Sequence, residues 1–486
     1  MSTQTARTYH WYDYITFNIY FLGLSTLAQT LSPLVLPLLV QQFLGEEAKG
    51  TFFGTLRLWS LMVALLAQAF WGILSDRTTL RFGRRRPYIL GGTLVNLLFI
   101  AAIGLSSTMS GWAGFWFLFA MALLLQVSSN AGQAAQQAVI PDLVPEEKRG
   151  RFSGFKALFE IPLPLILASQ VIAKMIAAGN MIGGIGVAIA VLVIAMLLAM
   201  LIREEPLKQA PPFDWQPFVR LVWMTALFTI IILVLGEGTK AFGGLVAGLG
   251  DVTLTLLLYG IVGVVAMGVA IAMGVYFSVR LSLGTAASES NPSFTWWVIN
   301  RLAFLVGAVN ISTFVVYFLQ GRLGLVREKA AGPAANLLLV VGVMILIFAI
   351  ASGWLSDRIG HKRTVAIAGI TGAIGVAIAI AVPDLNAIYL GGLFIGIAAG
   401  MFYTANWALG TKLVPPAEAG RYLGISNLAG AGAGAVGAYI GGPIADFFTV
   451  RFPDIPGIGY VLLFAMYGFL FLASVVALWR VHEPGK

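Results

Sequence analysis

Fourteen apolar runs, each long enough to cross a membrane as a helix, constrain this chain more than any other feature of its sequence. A crossing helix needs about 20 mostly apolar residues, and only helices and closed barrels satisfy the backbone inside lipid. We therefore predict an all-α integral membrane protein. The runs are Tyr14–Val40, Phe53–Leu74, Tyr88–Ser106, Trp112–Val139, Phe152–Ala178, Met181–Ile202, Phe218–Leu235, Thr253–Phe277, Trp296–Leu319, Ala334–Leu355, Thr364–Val382, Asn386–Gly410, Tyr422–Ala445 and Gly459–Trp479.

Composition excludes the main soluble classes. Apolar residues make up 59% of the chain and charged residues 10%, against averages of about 45–50% and about 25%. These values exclude a soluble enzyme, a disordered chain and a secreted disulfide scaffold. The chain has no Cys and three His, so it has no thiolate nucleophile, and we expect no metal site.

The basic residues indicate an orientation. With the N terminus in the cytoplasm, 22 of the 30 Lys and Arg lie on the inner side and 8, among them Lys49 and Arg57, on the outer side. Cytoplasmic loops carry such an excess, so we expect a multi-pass protein of the cell (plasma or inner) membrane with both termini cytoplasmic. The net charge of +9 is then mostly a topology signal, and we expect no nucleic-acid partner. The N-terminal segment carries Asp13 and Asn18, lacks a small-residue cleavage site and continues into a full span, so we expect no cleavable signal peptide.

Two loop motifs occur twice. Gly72-Ile-Leu-Ser-Asp-Arg77 returns as Gly353-Trp-Leu-Ser-Asp-Arg358, and Leu143-Val-Pro145 with Gly150-Arg-Phe-Ser-Gly154 returns as Leu413-Val-Pro415 with Gly420-Arg-Tyr-Leu-Gly424. Each copy follows the second or fourth helix of its half, which predicts two six-helix bundles in parallel orientation. We expect one bundle over residues 1–202, a linker with two extra membrane helices over 203–295, and the second bundle over 296–486. Parallel repeats of this kind are typical of alternating-access transporters.

The charges of these loops form a candidate gate, because a charge cluster between rigid helices can hold one bundle against the other in one state. The alternative is that the basic residues only set the topology. The gate candidates are Gly72, Asp76, Arg77, Arg84, Arg85, Arg86, Asp142, Arg151, Asp357, Arg358 and Arg421.

The first loop and its repeat resemble the major facilitator superfamily over nearly the whole chain. More narrowly, Ser75-Asp-Arg-Thr-Thr-Leu-Arg-Phe-Gly-Arg-Arg-Arg-Pro-Tyr-Ile89 resembles the loop of sucrose–proton symporters, which belong with the glycoside–pentoside–hexuronide:cation symporters, and Leu31-Ser-Pro33 fits the same group. The resemblance implies the major facilitator fold, with two pseudo-symmetric six-helix bundles and, here, two inserted helices.

The fourth helix departs from that group at two positions. Asn130, Gln133 and Asp142-Leu143 match the group's pattern. The membrane Asp that the resemblance associates with proton coupling is Gln126 here, and its Arg is Gln137. Since Gln cannot bind and release a proton, the departure argues against sucrose as the substrate and against coupling at this position.

Glu160 is the candidate that remains for coupling, because ionisable residues inside spans are costly and usually functional. Lys156 lies four residues earlier, on the same helix face. The alternative is a structural ion pair near the inner interface. Arg301 either snorkels to that interface or takes part in gating or binding.

Neutral polar and aromatic side chains are the candidates for a binding site. Amides donate to and accept from hydroxyl groups, and aromatic rings stack on the C–H face of a sugar. The alternative for each residue is a hydrogen bond between helices. The candidates are Gln126, Asn130, Gln133 and Gln137, which form one stripe on the fourth helix, with Asn310, Tyr403, Asn406 and Trp407. The helix-end residues Glu237, Lys240 and Asp446 are expected to face water.

The sequence therefore favours a secondary active transporter of a small polar solute, a sugar or glycoside, coupled to protons or sodium by alternating access. The alternatives are an exporter of an amphipathic compound and a non-transport membrane assembly factor. No nucleotide-binding loop or nucleophile–base pair is visible, so we expect no enzyme, no cofactor and no ATP drive. We expect a monomer in the lipid bilayer.

Overall fold

The computed structural model describes residues 10–482 apart from 205, 208, 211, 213 and 415–418, and apart from the side chains of 286–288, 419–421, 423, 424 and 427. Fourteen helices in this part of the chain are long and apolar enough to cross a membrane, which confirms the predicted spans and the all-α class. They are α1 Trp11–Leu44, α2 Lys49–Asp76, α3 Arg86–Ser106, α4 Gly111–Leu143, α5 Glu146–Ala177, α6 Met181–Ala199, α7 Gln216–Val246, α8 Val252–Leu283, α9 Pro292–Leu323, α10 Glu328–Ile359, α11 His361–Ala381, α12 Leu385–Leu413, α13 Leu428–Arg451 and α14 Ile458–Arg480.

Helix packing repeats between the two halves. In the first half α1 packs on α6, α2 and α3 pack on α4, and α3 packs on α6. In the second half α9 packs on α14, α10 and α11 pack on α12, and α11 packs on α14. The motif repeat of the sequence therefore corresponds to a repeat of helix packing, with α1–α6 as one bundle and α9–α14 as the other.

Two helices of the first bundle are interrupted. A π-helical turn, Leu31–Val35, divides α1 and contains Pro33. The α-helical part of α5 that ends at Glu160 is followed by Ile161 and Pro162, and a second π-helical turn occupies Ala168–Ile172. Proline cannot donate the helical hydrogen bond, and such turns are often found at functional sites.

The inserted pair α7–α8 packs mainly against α13, with a smaller contact between α7 and α2. Phe228 of α7 fills the space beside Gly274 of α8 and Gly432 of α13, so that a Cβ atom at either glycine would meet its ring. The hydroxyl of Tyr439 on α13 donates to Glu237 of α7 at 2.6 Å. The pair is therefore attached principally to the second bundle.

An even number of spans places the two ends of the described chain, residues 10 and 482, on one side of the molecule. We call this the basic side, because it carries the loops with Arg84–Arg86 and Lys362–Arg363, and the other the opposite side. Among the most enclosed spans are α1, α9 and α13, which run along the contact between the bundles.

Candidate functional site

One face of the enclosed helix α1 stays accessible. Ser25, Gln29 and Ser32 are half-buried and Ala28 is exposed, whereas most of the helix around them is buried. Spacings of three and four residues place these positions on one helical face. The most direct explanation of an accessible polar face on an otherwise enclosed helix is a cavity between the bundles.

The four amides of the α4 stripe differ in their exposure. Gln126 and Gln133 are half-buried and Gln137 is exposed, where it accepts a hydrogen bond from Gln68 of α2 at 3.0 Å. Asn130 is only 4% exposed and donates to the Gln126 carbonyl at 2.8 Å. Three amides of the stripe are therefore accessible, whereas Asn130 lies within the helix packing.

Tyr403 and Trp407 of α12 are 38% and 41% exposed, on the half of that helix nearer the basic side. Arg301 of α9 lies beside them, with its guanidinium 5.5 Å from the ring of Trp407. Asn406 is buried and accepts from Arg301 Nη1 at 3.0 Å, while its own amide donates to Asn300 at 2.8 Å. Asn406 therefore orients Arg301, and its own side chain is not accessible.

Asn310 differs from the other binding candidates. It is fully buried, and its amide donates to the carbonyl oxygens of Val306 at 2.9 Å and Ala433 at 3.0 Å. It therefore joins α9 to α13 and has no accessible surface in this state.

Arg57, which the sequence interpretation counts among the outer-side charges, lies inside α2, within the predicted run Phe53–Leu74. It is eight residues into α2, and Nη1 donates to Ser32 Oγ, in the π-helical turn of α1, at 2.5 Å. Its other terminal nitrogen approaches α13, 3.8 Å from the position of a Cβ atom at Gly434. Arg57 therefore lies where the two bundles meet, beside the accessible face of α1.

Close backbone contacts seal the opposite side. A Cβ atom at Gly442 of α13 would lie 2.1 Å from the carbonyl oxygen of Gly50 on α2, and one at Gly54 would lie 2.3 Å from that of Ala438. Small residues allow helices to approach this closely. The bundles also meet through α5 and α10, where Gln170 donates to Asn336 at 3.2 Å.

Polar bonds reinforce this seal. The carboxylate of Asp446 accepts the backbone N–H groups of Gly50 at 2.8 Å and Thr51 at 2.7 Å. Asp446 is 4% exposed, so the expectation that it faces water is wrong. Tyr317 donates to the Pro37 carbonyl at 2.6 Å, which joins α9 to α1.

A buried lysine lies beside this carboxylate. Lys49 is 2% exposed, pairs with Glu46 at 2.5 Å and donates to Gln320 of the other bundle at 3.0 Å. Its ammonium group also lies 4.6 Å from the centre of the Tyr317 ring. The seal is therefore a set of charged and polar groups shared by both bundles.

The charge cluster of the first repeated loop lies on the basic side. Arg85 is 3% exposed and pairs with Asp76 at 2.5 Å and Asp142 at 2.7 Å, and Arg84 reaches the same two carboxylates at 3.2 and 3.0 Å. Glu204 accepts from the Arg85 backbone N–H at 2.8 Å. All of these groups belong to the first bundle and its linker, so in this state the cluster ties α2, α3 and α4 together.

The four ion pairs between these arginines and aspartates do not involve the other gate candidates. Asp357 is exposed, and Arg358 stacks on Trp354 at 3.8 Å. Arg151 is exposed, Arg77 is half-buried, and Arg86 stacks on Phe82 at 4.3 Å. A Cβ atom at Gly72 would meet no atom within 4 Å, so this glycine makes no close helix contact in this state. The side chain of Arg421 lies outside the described residues.

The coupling candidates form an ion pair. Lys156 Nζ lies 3.8 Å from the Glu160 carboxylate, with the side chains 30% and 41% exposed. The ammonium group also lies 4.7 Å from the Phe21 ring of α1. Within the described residues, no group of three or more His, Asp or Glu side chains could hold a metal ion.

The superfamily model for the Major Facilitator Superfamily matches residues 19–326 and, in a second match, residues 296–486. The chain belongs to the major facilitator superfamily. Its repeated bundles, which meet closely on the opposite side, follow the architecture that the resemblance implied.

Relatives of this superfamily protein extend the comparison. An uncharacterized symporter of Synechocystis sp. is 29% identical over 206 residues, which cover 39% of this chain and 37% of that protein. The match therefore spans little more than a third of that relative's length.

Solved structures agree in fold. The nucleoside transporter NupG superposes with a TM-score of 0.64 at 12% identity, covering 96% of this chain and 99% of that one. A D-xylose-proton symporter gives 0.63 at 17% identity, with 98% and 100% covered. The peptide transporter POT in complex with sulfate gives 0.65 at 15% identity, with 98% and 95% covered. At these identities the likeness shows the fold alone.

Proposed function

We propose that this protein is a secondary active transporter that moves a small polar solute, a sugar or glycoside, by alternating access. One observation carries the proposal: the two bundles are sealed on the opposite side, while polar and aromatic side chains of three helices, α1, α4 and α12, stay accessible. A fold with a central site and a single sealed side is what alternating access requires. The proposed binding groups are Gln126, Gln133, Gln137, Tyr403 and Trp407, with Asn130 and Asn406 behind them.

The basic side is proposed to face the cytoplasm, since cytoplasmic loops carry the basic excess. The structure then represents the inward-facing state in a cell membrane. Coupling to protons or sodium is assigned to Glu160 with Lys156, because a carboxylate inside a span can bind either ion. The charge cluster around Asp76 and Arg85 is proposed to move with the first bundle, and to meet the second bundle in the outward-facing state.

The experiment is uptake of labelled sugars and glycosides into proteoliposomes under an imposed proton or sodium gradient. Accumulation that requires one of the gradients is the expected result. Absence of gradient-dependent flux across a broad panel would exclude the proposal and favour an assembly factor. Efflux of amphipathic compounds without sugar flux would favour the exporter.

A further inference from the structure

Two arginines, Arg57 and Arg301, lie eight or more residues inside their helices and have no acidic partner among the described residues. Within the described residues, no carboxylate oxygen lies within 4.0 Å of the guanidinium of Arg57 or of Arg301. By contrast, Lys49, Lys156 and Lys240 each have an acidic partner. An unpaired cation at membrane depth is costly and usually faces a ligand pathway.

The hydrogen bonds of both arginines are incomplete. Each guanidinium has five N–H donors. Arg57 donates to Ser32 and Arg301 to Asn406, and the Nε atom of each is buried without a partner. Two neutral acceptors do not neutralise two full positive charges. The two groups therefore retain unused charge and unused donors.

Both arginines border the accessible region between the bundles, one from each bundle. Arg301 lies beside the exposed rings of Tyr403 and Trp407, on the half of its helix nearer the basic side. Arg57 holds Ser32, on the accessible face of α1, near the sealed opposite side. Gln29 on the same face and Gln133 on α4 are half-buried neutral amides. The region thus has a cation towards each end and neutral polar groups beside them.

We infer that the solute carries an anionic group, a carboxylate or a phosphate, which binds the guanidinium of Arg301 in this state and that of Arg57 when the opposite side is open. A planar guanidinium pairs with either group through two parallel hydrogen bonds. The neutral amides and aromatic rings are left for the hydroxyl-bearing body of the solute. This inference rests on the proposed function and replaces a neutral sugar by an acidic one.

The test compares matched probes on the purified full-length chain in nanodiscs at constant ionic strength. The probes are glucose, glucuronate and glucose 6-phosphate, with acetate and inorganic phosphate as minimal anions, and binding is measured by equilibrium dialysis of the labelled compounds. We expect saturable binding of at least one sugar anion, at lower concentration than glucose. Arg301→Gln should weaken that binding about tenfold or more, since it removes a charge-assisted contact.

Control variants separate binding from folding. Arg301→Lys keeps the charge but loses the planar fork, so it should bind the sugar anion more weakly than the wild type while remaining folded. Arg280→Gln removes an arginine that stacks on Tyr276 at 4.5 Å in the inserted pair, and it should bind like the wild type. Absence of saturable binding of every anion, equal binding of glucose, or unchanged binding by both Arg301 variants would overturn the inference.

The outcomes for the two proposals are distinguishable, because the binding assay needs no gradient. Gradient-driven uptake of a neutral sugar that Arg301→Gln leaves unchanged would support transport and overturn the anion inference. Binding of a sugar anion without flux of any solute would support the anion inference and overturn the proposal of transport.

Discussion

Asp446 accepts a hydrogen bond from the backbone N–H of Gly50 at 2.8 Å, although 396 positions separate the two residues and they belong to different bundles. The carboxylate thus caps the first turn of α2, where backbone N–H groups have no partner within the helix. Because cap and helix lie in different bundles, this bond must break when the opposite side opens.

Asp446→Ala should therefore shift the protein towards the state that is open on the opposite side. Loss of a cap costs about 0.5–2 kcal/mol, and here that loss falls on the sealed state alone. The chain has no Cys, so Gln29→Cys provides a single reporter for a membrane-impermeant maleimide added from the opposite side. Labelling should become several-fold faster. Asp384→Ala is the matched control, since Asp384 caps its own helix at Ala387; equal rates in the two variants would contradict the assignment.

Gly442→Ala should hinder sealing for a steric reason. Its Cβ atom would lie 2.1 Å from the Gly50 carbonyl oxygen, closer than real Cβ contacts allow. The same reporter should again be labelled faster from the opposite side. Gly430→Ala on the same chain segment meets no atom within 4 Å and should label like the parent, so an identical response of both alanine variants would count against the close crossing.

Glu160→Gln tests the coupling assignment. If the carboxylate carries the coupling ion, the variant should lose accumulation driven by a proton or sodium gradient but keep solute exchange at equal concentrations. Glu237→Gln provides a control, because Glu237 also pairs with a lysine, Lys240, but in the inserted pair. Gradient-driven uptake that survives in Glu160→Gln would leave Lys156–Glu160 as a structural ion pair only.

Arg85→Gln should destabilise the first bundle. It leaves Asp76 and Asp142 facing each other with Arg84 alone, and removing a hydrogen bond to a charged group costs about 1.5–3 kcal/mol. We expect a lower midpoint of thermal unfolding in nanodiscs. Arg358→Gln in the second copy of the motif should change the midpoint less, because Arg358 stacks on Trp354 and has no carboxylate within 4.0 Å among the described residues. Equal changes would show that the two copies are equivalent.

The spans and the repeat could be predicted because they depend on local composition and on motifs that recur along the chain. The partners of Asp76 could be anticipated for the same reason, since Arg84 and Arg85 lie in the same loop. The role of Asp446 could not, because a carboxylate at a helix end looks like a water-facing residue until the helix of the other bundle is placed against it.

The contacts that Arg57 and Asn310 make could not be predicted from the sequence either. Arg57 lies near the start of an apolar run, where an interfacial residue and a membrane-embedded one have the same local pattern. Asn310 has an amide side chain of the kind that binds hydroxyl groups. Because α9 and α13 approach closely, however, this amide donates to the Ala433 carbonyl instead. In both cases tertiary packing decides which polar groups remain accessible.

The attachment of α7 and α8 to α13 has a consequence for the bilayer. Because Phe228 and Glu237 anchor the pair to the second bundle, the proposed alternation between two open states would carry these two helices through the lipid with that bundle. The lipid around the protein must then rearrange along a longer perimeter than it would around two six-helix bundles without the inserted pair. Bilayer thickness and lateral pressure thereby enter the balance between the two open states, so the turnover rate should vary with acyl-chain length even when the solute and the ion gradient are held fixed.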